Sequence, residues 1–287
     1  IVRCFRDEDP RADRQAEFTQ IDVEMSFASA DDVITLNERL IAEIFKTILD
    51  VDVPLPIPRM KYEQAMAEYG IDRPDLRFEM KLKDISDIAA ASAFKVFSEA
   101  VHKGGIVKGL CAPGGGRYSR SDIEKTLTDF AAELGAKGLA WFKTAAAESG
   151  QGVELKSNLV KFFTPQQQHE LISRFGAGPD DLILMVADKP SVVNKVLAAL
   201  RLRLGRELGL IRENEFRFTW VVDFPLFEWN EEENRFDSVH HPFTAPVPED
   251  LEKLDSEPAH IRSQAYDLVV NGSEIGGGSI RIHNPAV

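Results

Sequence analysis

Hydrophobic and polar positions alternate with period two over "FTQIDVEMSF", residues 18–27. That period is the mark of a strand with two unlike faces. Thr19, Ile21, Val23 and Met25 make the apolar row, expected in a core. Phe18, Gln20, Asp22, Glu24 and Ser26 make the polar row. Gln and Asp are poor strand formers, so this row needs a reason other than propensity. The period changes to 3.6 over residues 31–49, where Val33, Leu36, Leu40, Ile41, Ile44, Phe45 and Ile48 recur on one helical stripe. An amphipathic helix with that stripe in the core is expected. "VPLPIPR" follows, and its three alternating prolines forbid helix and favour an extended edge segment. A short helix then ends at Gly70.

From about residue 77 to 212 the pattern turns to mixed α and β. Ser121 with Glu124 predicts a capping box for a helix ending at Gly135. "GLAWFK" reads as a strand. Thr164, Pro165 and Gln167 open a second capped helix. "DLILMVAD" reads as a buried strand, and 190–208 as a long helix. "APGGGRYSR" is Gly-rich but lacks the spacing of a nucleotide loop, so a plain turn is expected. Strands dominate again from 217. "FTWVVDFPLF" is expected as one buried strand, "HHPFTAP" as a loop, and "AYDLVVNGSEIGGGSIRIH" as a strand pair broken by a turn. The expected fold class is α+β, with domains at 1–76, 77–212 and 213–287, the middle one inserted into the other fold.

Composition narrows the class. Hydrophobic content of 44% and charged content of 28% suit a globular chain, and no apolar run reaches the roughly 20 residues that span a bilayer. Two cysteines, Cys4 and Cys111, are too few for a disulfide framework and predict a cytoplasmic setting. A net charge of −13 argues against a nucleic-acid surface spread over the whole chain, while allowing a local basic patch. The first residue is Ile rather than Met, and no helix follows the last strand, so a fragment is expected.

"FRDEDPRADRQAEFTQIDVEMSF" resembles the second signature motif of class II aminoacyl-tRNA synthetases, and "RADRQ" with "FTQIDVE" is similar to the bacterial aspartyl version. "WVVDFPLF", "HHPFTAP" and "AYDLVVNGSEIGGGSIRIHN" extend the resemblance in order and spacing over nearly the whole chain. The insertion at 77–212 resembles the GAD domain of bacterial-type aspartyl enzymes. The resemblance implies part of the class II antiparallel-sheet catalytic core, interrupted by that mixed α/β domain. It also implies activation of L-aspartate with ATP and transfer to the 3′ end of tRNA-Asp, with tRNA-Asn left open as a second acceptor. The full-length protein would be a homodimer.

Such a reaction joins two anions, so cations must meet the phosphate. Arg6 offers a planar fork to the α-phosphate and carboxylate. The resemblance implies a wider ATP set of Arg6, Asp7, Glu8, Arg14, Gln15, Phe18 and Glu274, with adenine on Phe18. It places Gln20, Asp22, His240, His241 and Arg281 around aspartate, with Arg281 forked onto the side-chain carboxylate. Asp267 and Glu274 would hold Mg²⁺ through hard oxygen ligands. Arg6 and Arg281 would carry catalysis. The first and third signature motifs and the anticodon-reading barrel are missing from the pattern, so the isolated chain is expected to be inactive. Two other readings remain. One is a non-catalytic binding fragment centred on the inserted domain. The other is the related asparaginyl enzyme, against which Arg281 and the insertion argue.

Overall fold

The computed structural model describes residues 1–7, 14–147, 152–285 and 287. The chain forms two compact units, residues 1–60 with 218–287, and residues 61–217.

The first unit opens with β1 (Val2–Phe5) and β2 (Glu17–Gln20), an antiparallel pair. The expected strand over 18–27 therefore stops at Gln20. Its ladder ends at the pair Val2↔Gln20, and period-two alternation without a partner strand does not make a strand. Ile21, Val23 and Met25 consequently lie exposed rather than in a core. Helix α1 (Ala30–Leu49) starts at a capping box, in which the Ser29 hydroxyl accepts from Asp32 N and the Asp32 carboxylate accepts from Ser29 N. The helix stands where its period predicts, but its buried line is rotated. Ile34 and Glu38 are buried, while Leu36 and Ile48 are exposed. The Glu38 carboxylate accepts from Trp220 Nε1 and from Ile57 N, both at 3.1 Å. A buried polar group is tolerated when so bonded, which is why a hydrophobic count misplaces this face. The proline segment ends in β3 (Arg59–Lys61), an edge strand as expected.

The second unit holds, in order, α2 (Tyr62–Glu68), β4 (Lys83–Asp84), α3 (Ser86–Ala90), α4 (Lys95–His102) and β5 (Ile106–Ala112). A π-helical stretch, Asp122–Leu127, runs into α5 (Thr128–Glu133), followed by β6 (Ala140–Ala146), β7 (Val153–Lys156), α6 (Pro165–Phe175), β8 (Leu182–Asp188) and α7 (Pro190–Glu207). The sheet is antiparallel, in the order β4-β5-β8-β6-β7. Alternate residues of β8 feed two apolar clusters. Leu182, Leu184 and Val186 join Val196, Leu197 and Leu200 of α7. Ile183 and Met185 join Phe97 of α4 and Leu171 of α6. A strand buried on both faces reads as a continuous apolar run, as "DLILMVAD" does. The Thr164–Gln167 capping box is present. The box expected from Ser121 and Glu124 is not. Ser119 and Asp122 exchange those bonds instead, and Glu124 pairs with Arg120.

Two buried cations pin this unit. Lys108 donates to the C-terminal carbonyls of α2 at Met66 (3.3 Å) and Ala67 (3.5 Å), and to Asn194 Oδ1 (3.0 Å). Arg201, 2% exposed, donates to the carbonyls of Phe78, Glu79 and Met80. Its guanidinium also lies 3.9 Å from the Phe78 ring centroid and 4.8 Å from that of Tyr69. The Cys111 thiol is pushed up to about 12 by burial, with Asp181 adding to the shift. Iodoacetamide at pH 8 should therefore leave Cys111 unlabelled in the native protein. Peptide mass spectrometry reads this directly, and a native adduct on Cys111 would contradict it.

The first unit resumes with β9 (Phe218–Val222), β10 (Phe227–Asn230), β11 (Arg235–Ser238), β12 (Ala265–Val270) and β13 (Ser273–Ser279). The single strand expected over "FTWVVDFPLF" is broken after Val222, because Asp223 takes φ 57° and Phe224-Pro225 follows. Its last residue, Phe227, opens the β10–β11 hairpin. The main sheet runs β13-β12-β9-β3. Trp220, Tyr266 and Leu268 on one of its faces pack with Ile34 and Ile57.

Candidate functional site

The β1–β2 pairing sorts the first cluster. Cys4 stands opposite Phe18 and Val2 opposite Gln20, and Arg6 N continues the ladder to Ala16 O. Arg6, Phe18 and Gln20 therefore share one face. The Arg6 guanidinium lies 5.5 Å from the Phe18 ring centroid. Cys4, which the motif reading did not single out, donates its thiol hydrogen to Gln20 Oε1 at 3.0 Å. That bond turns the Gln20 amide NH₂ away from Cys4. Asp7, Gln15 and Asp22 are exposed, and Asp22 lies past the end of β2, so the strand parity that joined it to Gln20 does not apply. Glu8 lies outside the described residues.

The second cluster is set by β12 and β13. Asp267 pairs with Gly277, and Val269 with Glu274, because the register shifts between Leu268 and Val269 and leaves Ile275 as an extra residue. Asp267, Val269, Gly277 and Glu274 consequently share a face, opposite to the one that Tyr266 and Leu268 bury against α1. Without that bulge Glu274 would point the other way. Arg14, at the end of the charged loop, joins the two clusters: its Nη2 lies 2.9 Å from Glu274 Oε2, with both side chains about one-third exposed. Among the described residues no three His, Cys, Asp or Glu side chains converge as a protein-only metal centre. Two carboxylates on one face suit a hard cation that takes its other ligands from phosphate and water.

Arg281 follows β13 and bridges to Thr244 of the "HHPFTAP" loop. Its neighbours are bonded on both sides, with Ala245 N donating to Ile280 O (2.7 Å) and Ile282 N to Phe243 O (2.8 Å). Ser279 and Thr244 hydroxyls meet at 3.2 Å. Burial raises the Tyr266 phenol, and the nearby Arg281 charge opposes that rise. His240 sets its ring edge-on to Phe224 at 4.6 Å. His241 is exposed, and its Nδ1 accepts from Phe243 N at 3.1 Å, a bond within the loop.

Beside this loop, Arg262 forks onto Asp250, with Nε–Oδ2 at 2.8 Å and Nη2–Oδ1 at 3.0 Å. The fork holds the Asp250 carboxyl at about 2. A depressed carboxyl contributes stability above its unfolded value, lost as pH falls through the folded one. The loss should therefore fall between about pH 4 and pH 2, and Asp250→Asn should remove that segment of the acid-denaturation curve. An identical acid limb in the variant would contradict the assignment.

Comparison with known proteins agrees with this arrangement. The family described as tRNA synthetases class II (D, K and N) matches residues 1–287. An aspartate--tRNA(Asp/Asn) ligase of Symbiobacterium thermophilum is 54% identical over 99% of this chain and 48% of its own length. An aspartate--tRNA ligase of Halalkalibacterium halodurans is 54% identical over 100% and 47% respectively, and an aspartate--tRNA(Asp/Asn) ligase of Desulfatibacillum aliphaticivorans 52% identical over 99% and 47%. The chain spans about half the length of the curated relatives it matches. A match along its full length, together with antiparallel sheets carrying the hairpin, the acidic strand pair and the bridged arginine, makes this chain a member of the class II tRNA synthetases of the D, K and N group.

Proposed function

We propose that this chain is a segment of an aspartate–tRNA ligase that carries part of its aspartate-activating site. The observation that carries the reading is the Arg14–Glu274 contact. It joins the hairpin face of Arg6, Phe18 and Gln20 to the acidic face of Asp267 and Glu274, in a chain 54% identical to aspartate–tRNA ligases.

In this reading ATP lies along the hairpin, with adenine on Phe18 and the α-phosphate on Arg6. Asp7, Glu8 and Gln15 flank it. Arg14 and Glu274 form an ion pair in the structure; Arg14 would meet the outer phosphates, and Glu274 with Asp267 would hold the Mg²⁺. The cation supplies charge neutralisation at the phosphates. Aspartate is held by Arg281 at its side-chain carboxylate, by Gln20 and Asp22 at its amino end, and by the His240–His241 loop. Its α-carboxylate oxygen attacks the α-phosphorus, an O–P bond forms, and the bond to pyrophosphate breaks. A tRNA hydroxyl then attacks the activated carbonyl and AMP leaves. These residues position two anions and screen their charge, and no protein nucleophile takes part.

The second unit is assigned as the GAD domain, on the strength of its self-contained five-stranded antiparallel sheet, inserted in sequence between the two segments of the first unit. The complete ligase is proposed as a cytoplasmic homodimer acting on tRNA-Asp. Relatives are named both aspartate--tRNA ligase and aspartate--tRNA(Asp/Asn) ligase, so tRNA-Asn stays open.

The test is thermal stability with a non-hydrolysable aspartyl-adenylate analogue beside its asparaginyl twin. At 100 times its dissociation constant a ligand adds about 2.7 kcal/mol. A shift with the aspartyl form alone is expected from the complete ligase, and a shift with the asparaginyl form would overturn the assignment. Aminoacylation by the isolated chain is expected to be negligible, and steady turnover would contradict that.

A further inference from the structure

The three glycines before Arg281 differ in what a side chain would meet. A Cβ at Gly276 would meet nothing within 4 Å. One at Gly278 would press on the Tyr266 ring, with Cε2 at 2.9 Å. One at Gly277 would lie 2.1 Å from Asp267 Oδ1 and 3.1 Å from its Cγ. Gly277 is not among the positive-φ glycines, so an alanine fits its backbone. The chief obstacle is the Asp267 carboxylate, with the Tyr266 carbonyl oxygen next at 3.3 Å.

Asp267 and Gly277 are directly opposed in the β12–β13 ladder. Side chains at opposed positions are the closest across a sheet, and an aspartate has only two torsions with which to avoid a neighbour. The carboxylate rests where the Cβ of residue 277 would be. Any side chain at 277 drives it off that seat, and with it the alignment with Glu274 that the Ile275 bulge creates.

We propose that Gly277 is a positioning residue for the acidic pair, its missing side chain being the seat that orients the Asp267 carboxylate. This rests on reading Asp267 and Glu274 as the residues that meet Mg·ATP. It gives the central glycine a role that close approach of the backbone to a ligand does not.

The test uses the complete ligase, with Mg²⁺ titrated in aspartate-dependent ATP–pyrophosphate exchange and Mn²⁺ binding in the presence of ATP followed by electron paramagnetic resonance. Gly277→Ala is expected to raise the half-saturating Mg²⁺ and weaken Mn²⁺ binding about tenfold, with the KM for aspartate unchanged. Asp267→Ala is expected to produce a similar rise by itself, and the double variant no further one. If the two effects add, or if Gly277→Ala leaves the metal dependence unchanged, the proposal is overturned. Should Gly277→Ala fail to fold, circular dichroism of the double variant decides. Recovery of the fold once the carboxylate is gone supports the steric seat, and continued misfolding overturns it. Absence of exchange in the unsubstituted ligase would instead sink the functional reading on which the proposal rests.

Discussion

Replacing Arg281 with leucine in the complete ligase is expected to lower kcat/KM for aspartate by about ten-thousandfold, the scale on which sites built around a polar partner discriminate. The main chain here is held at Ile280 and Ile282 by bonds that leucine does not disturb, so the melting temperature should change little. Arg281→Lys should fail nearly as badly, because a point charge on a flexible stem does not replace a planar fork. Pyrophosphate exchange at varied aspartate measures the effect. Wild-type kcat/KM in the leucine variant would remove Arg281 from the site. A parallel gain toward asparagine is not expected, since leucine supplies no partner for an amide.

The other large effect concerns stability. Arg201→Met should destabilise the unit at 61–217 by about 3–5 kcal/mol, in line with several carbonyls losing their donor at about 1–3 kcal/mol each. Methionine fills much of the volume, yet the carbonyls of Phe78, Glu79 and Met80 lose their common donor. Burial lowers the guanidinium to about 10, still charged at neutral pH, so the stacked rings of Tyr69 and Phe78 enclose a cation in the native state. Native-state hydrogen exchange at the amides of β5 and β8 reads the loss. Unchanged protection there would show that the carbonyls find other partners.

Much of this fold was legible locally. The Thr164–Gln167 box, the continuous apolar run of β8, the proline-marked edge strand and the strand pair around Asn271-Gly272 all depend on neighbours in sequence, and pattern reaches those. Failures came where a distant partner decides. Ile21, Val23 and Met25 look like a core row until the ladder is seen to end at Gln20. Glu38 looks like solvent-facing charge until Trp220 and Ile57 are seen to donate to it. "SRSDIE" holds two overlapping cap patterns, and spacing alone does not choose between Ser119 and Ser121. In the site, motif resemblance named Arg6, Phe18, Gln20, Asp267, Glu274 and Arg281. It carried no hint that Cys4 bonds Gln20, or that the middle glycine faces an aspartate of its own chain.

Strand β3 ends where residues 61–217 begin, and β9 starts where they end, yet the two strands are neighbours in one sheet. On the ribosome, β3 must therefore wait for a whole intervening unit before its partner exists. Closing so long a gap as a random coil is slow, since non-local pairing must meet loop-closure entropy before any contact forms. If the intervening unit folds first, it shortens the gap from a long flexible chain to the separation of its own two ends. The order of folding then follows from the position of the insertion. A defect confined to that unit, such as the loss of Arg201, would delay the assembly of a site none of whose residues it contains.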